Sequence, residues 1–248
     1  MAKAEATDSN ESDDSNDSPT ILDSTTFDFE RELAEVLEEG NDESSHTEMN
    51  PSVFHASSMG YPIRQAYLSK LGFKQHDTET LGRFKTGTLV HEFFENEIGE
   101  RNDSLEFETP VSIEDRGIQW VGHVDCIDRE NGVIYDFKTR AGWYNFNPPV
   151  QRHLDQLYIY MKALDMGKAQ VVYVSKKTME VRTYPEDGVF TFDTARYEEL
   201  HEKAQKIKTA IVENGIPTNE ADIPFEKSDH WLAKKESLKP WLTQNEDE

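Results

Sequence analysis

Gly122-His123-Val124-Asp125, followed eleven residues after Asp125 by Asp136-Phe137-Lys138-Thr139, is the stretch on which the fold turns. Both segments sit in short apolar runs, 120–127 and 133–139. Such runs, separated by an Arg129-Glu130-Asn131-Gly132 turn, read as the two strands of a hairpin. Side chains alternate along a strand, so Asp136 and Lys138 share a face, with Phe137 opposite. Asp125 lies between Val124 and Cys126, and Asp136 between Tyr135 and Phe137. A carboxylate in an apolar strand is costly to bury without a partner. Two carboxylates beside an amine suit a hard divalent cation, Mg²⁺ or Mn²⁺, which takes carboxylate and water oxygens in octahedral geometry. With an activated water, that chemistry hydrolyses phosphodiesters.

The flanking helices add candidates. Residues 84–98 carry Val90, Phe94 and Ile98 at i, i+4 spacing, the mark of an amphipathic helix. His91 and Glu95 share another of its faces. His91 could add an imidazole to the metal, and Glu95 could either bind the metal or hold His91. Residues 150–164 read as a second helix, with Leu154, Leu157 and Met161 on one side. Gln156 and Tyr160 lie four apart there, an amide and a phenol able to meet a phosphate or base or to orient Lys138. Arg152 and His153 are either phosphate contacts or solvated residues. Elsewhere 57–71 reads as a helix or turn-helix with Pro62 near its start, 105–113 as a strand, 170–175 as a buried strand with 180–184 its antiparallel neighbour, and 194–212 as an amphipathic helix. The order predicts an α/β domain with a central mixed sheet flanked by helices. No glycine-rich phosphate loop is present, which argues against a doubly wound nucleotide fold.

The formal net charge is −23 over 248 residues. The first fifty residues hold 16 acids and 2 bases. Residues 1–50 are therefore expected to form an acidic, largely disordered tail, with a weak helical stripe at Phe29, Leu33, Val36 and Leu37. That tail is a solvated appendage or an arm for a protein partner. Residues 51–215 are expected to be the folded domain, and 216–248, with Trp231 and Trp241, a tail packing on its core. An acidic surface argues against non-specific nucleic-acid binding, because phosphates need cationic partners. A metal-lined cleft escapes that objection, since a bound cation inverts the local field. The single cysteine, Cys126, allows no internal disulfide and reads as a small buried hydrophobe. No apolar run approaches the ~20 residues of a spanning helix, and no hydrophobic signal region opens the chain. A cytoplasmic protein without membrane contact is expected.

Taken in order, Gly87-Thr88-Leu89-Val90-His91-Glu92-Phe93-Phe94-Glu95, Gly122-His123-Val124-Asp125, Asp136-Phe137-Lys138-Thr139 and Gln156-Leu157-Tyr158-Ile159-Tyr160 resemble the successive motifs of RecB-type PD-(D/E)XK nucleases. The resemblance spans roughly residues 55–212. It implies a restriction-endonuclease-like core acting on DNA. By it, His91, Asp125 and Asp136 would be metal ligands and the main-chain carbonyl of Phe137 would complete the shell. Lys138 would be the catalytic lysine, and Gln156 with Tyr160 the QxxxY element. Residues 57–64 are similar to the start of the CRISPR-associated (Cas-type) exonucleases and related viral RecB-like enzymes. Those often hold an iron–sulfur cluster on four cysteines; with Cys126 alone, this chain is expected to carry none. The expectation is a divalent-metal-dependent DNA nuclease, an exonuclease in the first instance. The rival is a catalytically silent nuclease-fold module for nucleic-acid or protein interaction, against which the intact Asp125, Asp136 and Lys138 set argues.

Overall fold

The computed structural model describes residues 28–42, 50–74 and 76–229. Helix α1 (Phe29–Asp42) precedes a short strand β1 (Val53–His55), a 3-10 turn and α2 (Ile63–Lys70). Helix α3 (Thr78–Phe94) then runs into a π turn at Glu95–Gly99. Strands β2 (Leu105–Asp115), β3 (Ile118–Asp128) and β4 (Val133–Arg140) follow. Helix α4 (Gln151–Leu164) crosses to β5 (Lys168–Ser175), after which come β6 (Val181–Tyr184), β7 (Phe190–Thr191), α5 (Thr194–Asn214) and a 3-10 turn at Glu220–Asp222. The expected mixed sheet flanked by helices is present, with seven strands.

Helix starts follow their caps. The apolar stripe of α3 predicts a start at Phe84, but the helix begins at Thr78. There the Asp77 carboxylate accepts from the Thr80 N–H at 2.7 Å, supplying one orphan amide with a partner. In α2, Pro62 stands at the cap, where its missing N–H costs nothing. Strands β1 and β7 have three and two residues and were not anticipated; runs that short show no alternation to read.

The sheet has helices on both faces. The larger core joins Phe54, Tyr67, Trp120, Leu157, Tyr197 and Ile207 across β1, β3, α2, α4 and α5. The smaller joins Val90 and Phe94 of α3 to Cys126, Phe137, Val172 and Val174. Cys126 is buried as expected, and burial pushes its thiol up to about 12, which leaves it inert. Beyond α5 the chain returns to α2. Arg64 donates to the Phe225 carbonyl at 2.8 Å and to Glu220 Oε1 at 3.0 Å, while the Tyr67 and Phe225 rings meet edge-on at 5.2 Å. Trp231 and Trp241, the residues expected to tie down this tail, lie outside the described residues.

Two features of β3 prepare the site. One edge pairs with β2 from Ile118 to Asp128, with a skip at Asp125 opposite the Glu108 position. The other is shared: Gln119–Val121 pair with β1 in parallel, and Cys126–Asp128 pair with β4 antiparallel. Gly122-His123-Val124-Asp125 thus occupies the gap between two strands on one edge. Alternation also breaks here. Trp120 and Val124 face the larger core, yet Cys126, which shares their parity, faces the smaller. On β2, Phe107 packs on the smaller core and Val111 on the larger. The break falls at Glu108, whose φ of 45° lies in the left-handed region.

Candidate active site

The gap sets what Gly122 and Asp125 do. A Cβ on Gly122 would lie 2.6 Å from the Tyr160 hydroxyl and 2.8 Å from its Cε1, so only glycine lets that buried ring approach β3. Asp125 Oδ2 accepts from the Phe137 N–H at 2.6 Å. This carboxylate satisfies the amide that β4 leaves free once the two strands part.

Asp136 and Lys138 share a face, as the alternation predicts. Lys138 Nζ donates to Asp136 Oδ1 at 2.6 Å. Asp136 is 1% exposed, and its Oδ2 has no hydrogen-bond partner. Burial pushes its carboxyl up to about 7, with Asp125 pushing the same way against the pull of Lys138. For Lys138, burial opposes the charge, but the Asp136 and Asp125 carboxylates outweigh it and hold the ammonium above its ordinary range. Lys138 is therefore a cation in this arrangement, not a free base.

His91 reaches the site from α3. That helix comes close to β4 where Gly87 faces Thr139, at 3.4 Å from the position a Cβ would take. One turn on, His91 Nε2 lies 3.1 Å from the Phe137 carbonyl oxygen. Nδ1 lies 3.8 Å from Asp125 Oδ1 and 3.9 Å from Glu108 Oε1. Ligand atoms of His91, Glu108 and Asp125 all fall within 4.8 Å of one another. Asp136, expected beside them, has its Oδ1 on Lys138 Nζ and its Oδ2 without a partner. Glu108 was missed. Its position depends on the left-handed φ and on the approach of β2 to Asp125 of β3, neither of which leaves a local sequence signal. Glu95 lines the same cleft and adds to the negative field at Glu108. Burial and the Asp125 charge hold the Glu108 carboxyl above its ordinary value.

The cleft has a volume of about 720 Å³ and two unlike ends. His91, Glu92, Glu95, Glu108 and Asp125 make one end acidic. Arg83, Arg140 and Arg152 make the other basic. Lys176 joins them, donating to the Arg83 carbonyl at 2.6 Å, with its own backbone N–H on the Arg140 carbonyl at 2.7 Å. Gln156 Nε2 donates to the Tyr160 hydroxyl at 3.2 Å, so the expected pair is formed. Burial pushes the Tyr160 phenol above its ordinary value, and hydrogen bonds from Gln156 and the His123 main chain oppose this. His153 is buried rather than solvated: it meets the Tyr173 hydroxyl at 3.2 Å and accepts from Arg152 Nε at 3.2 Å.

Carboxylates, an imidazole and a main-chain carbonyl form a donor set for a hard divalent ion. The unpartnered Asp136 oxygen fits the same demand, since a buried anionic oxygen without a donor is costly.

No curated protein matches the sequence. Among solved structures the chain is similar to SSO0001, with a TM-score of 0.52 at 18% identity, covering 73% of this chain and 87% of that one. At such identity the likeness is one of fold. Looser likenesses are to LHK-Exo in complex with dAMP (0.45; 13%; 64% and 87%) and to a phage-related exonuclease from Haemophilus somnus 129PT (0.45; 14%; 70% and 98%). The family model for the PD-(D/E)XK nuclease superfamily matches residues 95–230, a span that takes in Asp125, Asp136, Lys138, Gln156 and Tyr160 and leaves out His91. With more than half of its length matched, the chain belongs to the PD-(D/E)XK nuclease superfamily.

Proposed function

We propose that the protein is a divalent-metal-dependent DNA nuclease, acting as an exonuclease. The observation that carries this reading is the pair of Lys138 and the buried Asp136 beside Asp125, where the β3 edge lies open between β1 and β4. His91, Asp125, Asp136 and the Phe137 carbonyl are the groups that would hold Mg²⁺ or Mn²⁺. When bound, such an ion polarises a phosphoryl oxygen and lowers the pKa of water. The chain's own residues supply the rest. Lys138, as an ammonium, offsets negative charge at the scissile phosphate and orients the attacking water by a hydrogen bond. Asp136 holds that ammonium in place. Gln156 and Tyr160 hold β3 and α4 in register behind it. Arg140 and Arg152 meet phosphates flanking the scissile bond.

The test is a panel of end-labelled DNA, linear and circular, single- and double-stranded, with Mg²⁺, Mn²⁺ or EDTA. Cutting is expected with either ion, from ends only, and not in EDTA. Asp136→Ala and Lys138→Ala should each lower the rate by at least about 100-fold, in line with loss of a charge-stabilising group, while circular dichroism stays unchanged. Full activity in a folded Asp136→Ala protein would refute the site.

A further inference from the structure

We infer that Glu108 is a further ligand of the divalent cation, so that the ion is gripped from β2 as well as from β3, β4 and α3. The inference rests on the nuclease reading above and names a ligand that none of the sequence motifs contains. Its first support is geometry. In an octahedral shell with ligands at ~2.1 Å, neighbouring ligand atoms lie ~3.0 Å apart and opposite ones ~4.2 Å. Glu108 Oε1 and Asp125 Oδ1 lie 3.9 and 3.8 Å from His91 Nδ1, between those two values. Small rotations would bring all three onto one ion.

The tautomer of His91 gives the second support. A carbonyl oxygen only accepts, so the ring nitrogen facing the Phe137 carbonyl, Nε2, carries the proton. Nδ1 then presents its lone pair to the two carboxylates. A main-chain carbonyl fixing one imidazole nitrogen while the other faces outward is how metal-binding histidines are oriented.

Glu108 itself has no other evident role. Among the described residues its carboxylate accepts no hydrogen bond, and its ion-pair partner is His91. It lies where the β2–β3 ladder skips, between the pairs Phe107–Cys126 and Thr109–Val124, close to Asp125, and two like charges so placed repel. Its left-handed backbone is one that glycine or asparagine adopts more readily. Repulsion and an awkward backbone conformation are both tolerated at one position, which a cation between the carboxylates would reconcile. Independently, the buried Oδ2 of Asp136, beside Asp125, also lacks a partner.

Mn²⁺ binding to the full chain without DNA, read from the electron paramagnetic resonance signal of free Mn²⁺, tests this. Glu108→Asn keeps a residue that tolerates the backbone and removes the carboxylate. It should weaken Mn²⁺ binding by about tenfold or more, with the melting temperature unchanged or raised. Glu108→Gly, which removes all backbone strain, should behave alike. Asp125→Asn serves as the reference for loss of a ligand proposed above. If Mn²⁺ binding falls in Asp125→Asn and stays at the wild-type level in both Glu108 variants, the role of Glu108 is refuted and the nuclease reading stands. If the wild-type chain binds no Mn²⁺, both fall together.

Discussion

His153 shows how a side chain that reads as a surface contact can be a structural post. Its Nε2 accepts from Arg152 and its Nδ1 faces the Tyr173 hydroxyl, so the ring is neutral and satisfied on both sides. Burial, with the nearby Lys138, Arg152 and Arg140 charges, drives its pKa down to about 2. In the unfolded chain an imidazole titrates near 6.5. Below that pH the unfolded state therefore takes up a proton that the folded state refuses, and stability falls as pH falls. The slope is at most ~1.4 kcal/mol per pH unit, so ~2 kcal/mol is lost between pH 6.5 and 5. His153→Gln should start less stable at pH 7 but lose less on acidification. Urea midpoints at pH 7 and 5 read the difference; equal losses in the two proteins would show that the imidazole does not stay neutral. The same scale explains what the sequence disclosed of the site. Asp136 with Lys138, and Gln156 with Tyr160, are related by the period of one element, so spacing alone brings each pair together. Asp125 is joined to them by the hairpin that the two apolar runs predict, and His91, on a separate helix, is tied to them by the chemistry of the metal and by the motif order. Glu108 has neither aid, because its placement depends on a single φ and on a cross-strand neighbour.

Elements were legible where they are long. The stripes of α3 and α5 and the apolar runs of β3, β4 and β5 carry enough periods to be read. Caps and two- or three-residue strands do not, because their identity depends on partners far along the chain. The closing of the domain belongs to that second kind. The guanidinium of Arg64, almost fully buried, binds Glu220 and the Phe225 carbonyl, with Ile223 buried between them in sequence. Nothing local in either segment announces that contact. Arg64→Ala should cost about 1–3 kcal/mol, the range for charge-assisted hydrogen bonds with a partly exposed partner. It should also release residues 216–229 for limited proteolysis before the domain itself is cut. Simultaneous cleavage throughout the chain at the wild-type rate would mean that the apolar contacts of Ile223 and Phe225 suffice.

At the scale of the molecule, a formal charge of −23 opposes any approach to nucleic acid. The cleft offsets it locally, since Arg83, Lys138, Arg140 and Arg152 line one side of a single groove and Lys176 adjoins them. Affinity for DNA should then come from those few side chains and not from the surface at large. Each phosphate they neutralise adds about −0.7 for a single strand, or −0.9 for a duplex, to the slope of log K against log salt. Arg140→Gln and Arg152→Gln should each reduce that slope by about one and weaken binding for every sequence alike. Lys206→Gln, on the exposed side of α5, should leave it unchanged. Fluorescence anisotropy of a labelled oligonucleotide in EDTA, from 20 to 200 mM salt, separates the contributions without cutting. If Lys206→Gln lowers the slope as much as Arg140→Gln does, the contact is spread over the surface and the cleft is not where the phosphates lie. If the slope falls only with the cleft arginines, the acidic surroundings have a use: they confine a polyanion to the one groove where its charge is met.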